Sequence, residues 1–188
     1  MNQVTENIFS RRSVRAYLDK AIPKDVLEEI VKAGNAAPSG MNAQDWRIVV
    51  KTDKGERQKL AKLAVPRLEK WLEKNANESF KERRRRIAAE VPDPIYYSAP
   101  AVVFVIGKGN MAPFDCPMVC ENMMLAARSF GLGSCWVLFG SLVIDDKEVR
   151  KLLELKDDEK VFGPILLGYP KDGFPPAPAK KEAVVKWV

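Results

Sequence analysis

Apolar and polar positions along the chain separate into runs of helical and strand period. From Lys24, the apolar residues Val26, Leu27, Ile30, Val31 and Ala33 recur three and four apart, with Gly34 and Pro38 as stop signals, which predicts a helix with one face on a core. Residues 2–10 predict a shorter helix, and residues 10–20 a basic loop leading to Ile22 and Pro23. Segment 54–90 is helical in composition, with Leu68, Trp71 and Leu72 on one side. A break is expected near Pro66, and the segment ends at Pro92-Asp93-Pro94. Asp115 is expected to cap a further helix that tolerates Pro117 in its first turn, runs apolar on nearly every side to Phe130, and stops at Gly131. A last helix falls around residues 146–154.

Strand signals are shorter. Residues 101–106 (AVVFVI) form a continuous β-rich run, the pattern of a strand covered on both faces in mid-sheet. Residues 46–50, 134–139 and 161–167 supply three more. The sum is an α/β or α+β domain of about four strands and five or six helices. The tail Gly173-Phe174-Pro175-Pro176-Ala177-Pro178 can be neither regular helix nor central strand, yet it leads to Ala183, Val184, Val185 and Trp187. An extended arm ending in tryptophan is expected to pack on another subunit.

Length and composition narrow this picture. The 188 residues, 46% hydrophobic and 30% charged, predict one globular domain over residues 1–188 rather than a disordered or membrane-embedded chain. No stretch approaches the roughly 20 apolar residues of a bilayer span, and residues 1–13 lack the apolar core of a signal peptide, so a cytoplasmic location is expected. Histidine is absent altogether. That excludes Ser-His-Asp and Cys-His catalysis, HExxH zinc sites and imidazole proton shuttles, and leaves cations, carboxylates, thiols, backbone amides or a borrowed cofactor to do the chemistry. Cys116, Cys120 and Cys135 form an odd set that argues against a disulfide framework. Cys116 and Cys120 would share a helical face, but a stable metal site usually takes four ligands, so small buried hydrophobes is the better reading.

The net charge of +6 is concentrated locally. Lys81 and Arg83 to Arg86 stand against Glu82 alone, either as a solvated helix face or as a polyanion-binding patch. Without alternating aromatics or an RNA-binding signature, nucleic acid is not the expected partner. The segment Arg11-Arg12-Ser13-Val14-Arg15 puts three guanidiniums and a hydroxyl in a loop, suited to a phosphorylated ligand or else simply a basic turn. Gly131-Leu132-Gly133-Ser134-Cys135-Trp136 begins like a dinucleotide fingerprint but leads from helix to strand, the reverse of the required order, and no P-loop is present.

Taken together, Arg11-Arg12-Ser13-Val14-Arg15, the run from Ala37 through Pro38-Ser39-Gly40-Met41-Asn42 to Trp46, Gly131-Leu132-Gly133-Ser134-Cys135-Trp136, and Leu167-Gly168-Tyr169-Pro170 resemble the FMN-dependent nitroreductase family. The motifs span both ends and the middle of the chain and leave only residues 55–98 without a match. The resemblance implies an α+β fold with a central, mostly antiparallel sheet flanked by helices, in an intertwined homodimer that exchanges C-terminal arms and binds two FMN molecules at its interface.

Carried over by motif, Arg11 and Ser13 would hold the phosphate and ribityl chain together with Arg12, and Arg15 would lie by the pyrimidine edge. Pro38, Ser39, Gly40 and Asn42 would reach the same flavin from the other subunit, with Met41 on the substrate side. Cys135, Trp136, Val137 and Leu138 would run past the isoalloxazine, a backbone N–H near Leu138 close to N5. Lys180 and Lys181 are candidates for the phosphate. NADH or NADPH would then reduce the flavin, which passes electrons to a small electron-poor acceptor, a nitroaromatic, quinone or enone, by ping-pong kinetics. Such chemistry belongs to the flavin and needs no histidine. An oxygen-consuming, dehalogenating or flavin-sensing member of the same fold is the alternative. The acceptor pocket would be built from residues 55–98 and 109–114. Trp46, Trp136, Met123, Met124 and Gln44 also have plain packing or loop-bonding readings.

Overall fold

A computed structural model describes residues 1–188. Helices α1 (Gln3–Ser10), α2 (Lys24–Asn35), α3 (Lys54–Asn75), α4 (Glu78–Glu90), α5 (Ala112–Ser129) and α6 (Lys147–Leu152) surround a sheet of β1 (Trp46–Lys51), β2 (Ala101–Lys108), β3 (Gly133–Trp136) and β4 (Glu159–Gly168). The strand order is β1-β2-β4-β3, and every pairing is antiparallel. This is the α+β class with the antiparallel sheet that the sequence motifs imply.

β2 lies inside the sheet and is buried from Ala101 to Gly107, as its unbroken apolar run predicts. Alternation sends Val103 and Val105 into a cluster with Ile30 of α2 and Val119, Cys120 and Met123 of α5. Val102, Phe104 and Ile106 face the other way, against Leu60, Ala64, Leu68 and Leu72 of α3. Each such fully buried side chain is worth about 1.5–3 kcal/mol, so the two helical layers hold the sheet from both sides.

Several expectations are corrected. α3 runs through Pro66 without a break. Leu60, Ala64, Leu68 and Leu72 keep one buried face across it, and this packing offsets the lost backbone hydrogen bond. The interruption comes instead at Ala76, after which the Asn77 side chain accepts from the Phe80 N–H and starts α4. α5 begins at Ala112 rather than at Asp115, because Pro113 sits in its first turn, where no N–H is needed. Asp115 is therefore inside the helix and buried. β3 stops at Trp136, and a 3-10 turn over Leu138–Ser141 takes the place of the predicted end of that strand. Arg84, expected on a solvated face, is buried.

The cysteines are free and buried, and burial pushes the thiols of Cys116 and Cys120 up to about 12. They pack as small hydrophobes. No helix is long and apolar enough to cross a membrane.

One ion pair ties the edge strand β1 to β4 across β2. Arg47 donates from Nε to Glu159 Oε1 at 2.8 Å and from Nη2 to Oε2 at 2.7 Å. The guanidinium hydrogen bond outweighs burial and holds the Glu159 carboxyl at about 2, against an ordinary 4.5. A lowered folded-state pKa contributes stability that is complete above the unfolded value and is lost as pH falls through the folded one. Urea midpoints are therefore expected to drop between about pH 4.5 and pH 2, and Glu159→Gln is expected to flatten that part of the profile. An identical acid slope in the variant would contradict the assignment.

Candidate functional site

The arginine-rich segment is held as an added strand-like edge. After α1 the chain turns extended, Ser13 bridges Ser134 in parallel, and the Val14 N–H donates to the Ser134 carbonyl at 2.9 Å. Further on, Tyr17 bridges Pro170, the Leu18 N–H donates to the Tyr169 carbonyl at 2.9 Å, and the Tyr17 hydroxyl donates to the Val14 carbonyl at 2.6 Å. Gly133 makes the close approach possible, since a β-carbon there would lie 2.6–2.9 Å from the Val14 side chain. Alternation buries Val14 and leaves Ser13 and Arg15 exposed on either side of it.

Each arginine is placed differently. Arg11 pairs with Glu121 at 3.5 Å. Arg12 donates from Nη1 to the Phe9 and Arg11 carbonyls, both at 2.7 Å, closing the end of α1, while its Nε is buried without a partner. Arg15 lines a cleft of about 320 Å³ with Cys135, Trp136, Val137 and Leu138, so two of the motifs meet there. Burial raises the Cys135 thiol, while Arg15, a hydrogen bond from Ser13, and Arg11 pull it back, a sign of how closely the two segments approach. The Ser134 hydroxyl is buried beside them with no partner.

The other wall of this cleft was not legible in the motifs. Phe80, Arg83, Arg84 and Ile87 come from α4, joined by Tyr97 and Phe139. Segment 55–98 thus supplies the wall that faces the motif residues. Met111, from the other expected region, sits against Gly40 instead. Leu138 is 67% exposed and leads the 3-10 turn, so its N–H has no partner within that turn. The turn is braced from below by Val137 N–H on the Pro164 carbonyl at 2.9 Å and by the Tyr96 hydroxyl on the Gly140 carbonyl at 2.8 Å. A larger hollow of about 480 Å³, lined by Tyr17, Asp19, Lys54, Arg57 and Asp93 among others, contains none of the motif residues singled out for a cofactor.

The loop after α2 holds a strained shape. Met41, Asn42 and Gln44 adopt φ of 52°, 56° and 51°, a region that costs side-chain-bearing residues about 1–3 kcal/mol each. Two contacts fix it. The Gly40 N–H donates to both carboxylate oxygens of Asp115 at 3.3 Å, and the Gln44 N–H donates to Ser39 Oγ at 3.1 Å. Met41 is 96% exposed. No residue from Pro38 to Asn42 lines the Arg15 cleft, and Lys180 and Lys181 are exposed on the tail away from it. The structure therefore joins the first and third motifs within one chain and leaves the loop and the tail lysines apart from them.

The nitroreductase family model matches residues 8–169. The chain belongs to the nitroreductase family. An FMN-bound nitroreductase of solved structure from Bacteroides fragilis is 33% identical, covers both chains completely and superposes with a TM-score of 0.77. A second FMN-bound nitroreductase, from Desulfitobacterium hafniense, is 25% identical over 99% of this chain and 100% of its own, with a TM-score of 0.84. The FMN reductase [NAD(P)H] of Bacillus subtilis is 25% identical over 92% of this chain and 68% of its own.

In this nitroreductase-family chain Asp115 is a residue that sequence reasoning misassigned. Only Pro113, two positions before it, hinted at an earlier helix start. Replacing Asp115 by Ala strips the Gly40 N–H of its acceptors and is expected to cost about 1–3 kcal/mol, whereas Asn keeps one oxygen and should cost less. Amide hydrogen exchange at Gly40 should accelerate in Asp115→Ala with β2 unaffected. Unchanged exchange at Gly40 would show that the carboxylate does not hold the loop.

Proposed function

We propose that this chain is an FMN-dependent oxidoreductase that takes electrons from NADH or NADPH and passes them to a small electron-poor acceptor by ping-pong kinetics. The observation that carries this reading is the docking of Arg11-Arg12-Ser13-Val14-Arg15 along β3, which sets guanidiniums and a hydroxyl beside Cys135 to Leu138. The donor set suits an anionic, hydroxyl-bearing group. Arg11 and Ser13 offer donors for a phosphate and a polyol, and the unpartnered Arg12 Nε and Ser134 Oγ are polar atoms whose burial otherwise lacks compensation. When bound, FMN supplies hydride and electron transfer. Arg15 would lend positive charge to the pyrimidine edge, and the Leu138 N–H, which has no partner within its turn, would be a donor for the reacting ring.

In this reading the loop Pro38-Ser39-Gly40 and Asn42 reach the cofactor of a second subunit, with Met41 toward its substrate. Support comes from the loop's separation from the Arg15 cleft in its own chain and from the apolar surface left bare. Phe9 is 64% exposed, Phe114 67% and Trp187 91%. Phe174 lies under the Arg128 guanidinium at 4.1 Å, and beyond it residues 175–188 are all exposed, as an arm exchanged between subunits requires. Lys180 and Lys181 on that arm are the candidates for a phosphate contact.

Purified protein is expected to be yellow, or to become so with added FMN, and to bleach under anaerobic NADH or NADPH. Arg11→Ala and Arg15→Ala should each lower flavin occupancy at least about tenfold, the scale of one charge-assisted hydrogen bond. A protein that neither holds flavin nor bleaches, or full occupancy in both variants, would contradict the proposal.

A further inference from the structure

We infer that the α4 wall of the Arg15 cleft is an anion subsite, and that the acceptor this chain takes is an aromatic compound carrying a carboxylate, gripped by Arg83 and Arg84. The inference rests on the proposed function for what occupies the opposite wall, and deepens it by naming the acceptor class. The cleft carries three guanidiniums, Arg15, Arg83 and Arg84, and no carboxylate lines it. Neither Arg83 nor Arg84 takes part in any ion pair.

Arg84 is the unusual member. The residue is only 8% exposed, its Nη2 donates to the Pro94 carbonyl at 2.6 Å, its Nη1 to the Tyr97 hydroxyl at 3.3 Å, and its Nε has no partner. Those oxygens accept hydrogen bonds without neutralising the cation. A desolvated guanidinium with no counter-charge is unfavourable, and an anion entering the cleft relieves it. Its guanidinium carbon also lies over the Phe139 ring, 5.3 Å from the centre, which sets the charge against an aromatic surface.

Arg83, one residue earlier, is exposed and lines the same cleft, free to reach a ligand with its planar fork. Helical spacing puts Phe80 and Ile87 on this side of α4 as well, one turn before and one turn after. The anion is therefore flanked by apolar and aromatic surface, as an arene carboxylate needs. At about 320 Å³ the cleft is at the low end of small-molecule sites, too small to hold an entire dinucleotide, so the charge does not read as a seat for the donor's diphosphate.

The test is calorimetric titration of the oxidised, FMN-supplemented protein with 4-nitrobenzoate and with its neutral analogue 4-nitrobenzamide, without reductant. The carboxylate is expected to bind at least about tenfold tighter, as one charge-assisted contact allows. That advantage should fall within about threefold in Arg83→Gln and reverse in Arg83→Glu, exposed substitutions that leave the Arg84 bonds in place. Equal affinities, binding of neither compound, or an advantage retained in Arg83→Gln would overturn the subsite. Anaerobic bleaching of the same preparation by NADH separates the two claims. Protein that bleaches without discriminating contradicts the subsite alone, and protein that discriminates without bleaching keeps the subsite and contradicts the oxidoreductase reading.

Discussion

The Val14 N–H bond to the Ser134 carbonyl is the contact on which the arrangement depends. Residues more than a hundred positions apart are brought together there on a β3 only four residues long, and the Tyr17 bridge to Pro170 with the Leu18 bond to Tyr169 extends the same seam. The pairing also dictates side-chain direction. With Val14 turned inward, Ser13 and Arg15 both turn outward, onto the same exposed face of that edge. A slip of one residue would bury a guanidinium and expose the valine. Gly133 and the Tyr17 hydroxyl protect that register, the first by leaving room for Val14 and the second by holding its carbonyl.

Around this junction the fold separates rigid from adaptable parts. The sheet and the helical layers are packed on both faces, and the 3-10 turn after β3 is braced by Pro164 and Tyr96. The loop after α2 instead stores local backbone strain, held by one buried carboxylate and one serine hydroxyl. Met41 at its tip, Leu138 at the cleft and residues 175–188 of the tail are exposed, apart from this packed body. The absence of histidine also becomes intelligible. Flavin chemistry belongs to the cofactor, so a chain of this family has no need of a proton relay that only imidazole could perform.

Much of this was legible in the sequence for physical reasons. The apolar run of β2 is what a strand covered on both faces must look like, and the helical period of α2 gave its core face directly. The basic segment was recognisable as a candidate because clustered guanidiniums and a hydroxyl suit a phosphate, whereas the glycines at 131 and 133 carried weight only through the resemblance to a family. What escaped depends on contacts distant in sequence. Pro66 reads as a breaker until Leu60, Ala64, Leu68 and Leu72 are seen packed on the sheet across it. Asp115 reads as a cap until Gly40, seventy-five positions away, is found on its oxygens. Arg84 looks like one cation in a solvated run, and only the Pro94 carbonyl and Tyr97 show it to be interior. The left-handed backbone at Met41 and Gln44 has no signature in residue type, and only Asn42 between them is of a kind that favours it.

The most direct measurement of the central claim is a comparison of FMN with riboflavin as ligands of the flavin-free protein, followed by quenching of flavin fluorescence. If the edge formed by Ser13, Val14 and Ser134 exists to seat a phosphate on the arginine segment, FMN binds saturably and riboflavin, lacking only the phosphate, binds at least about a hundredfold more weakly, the scale of two charge-assisted bonds. Equal binding of the two, or binding of neither, would mean that the docked arginines serve some other purpose.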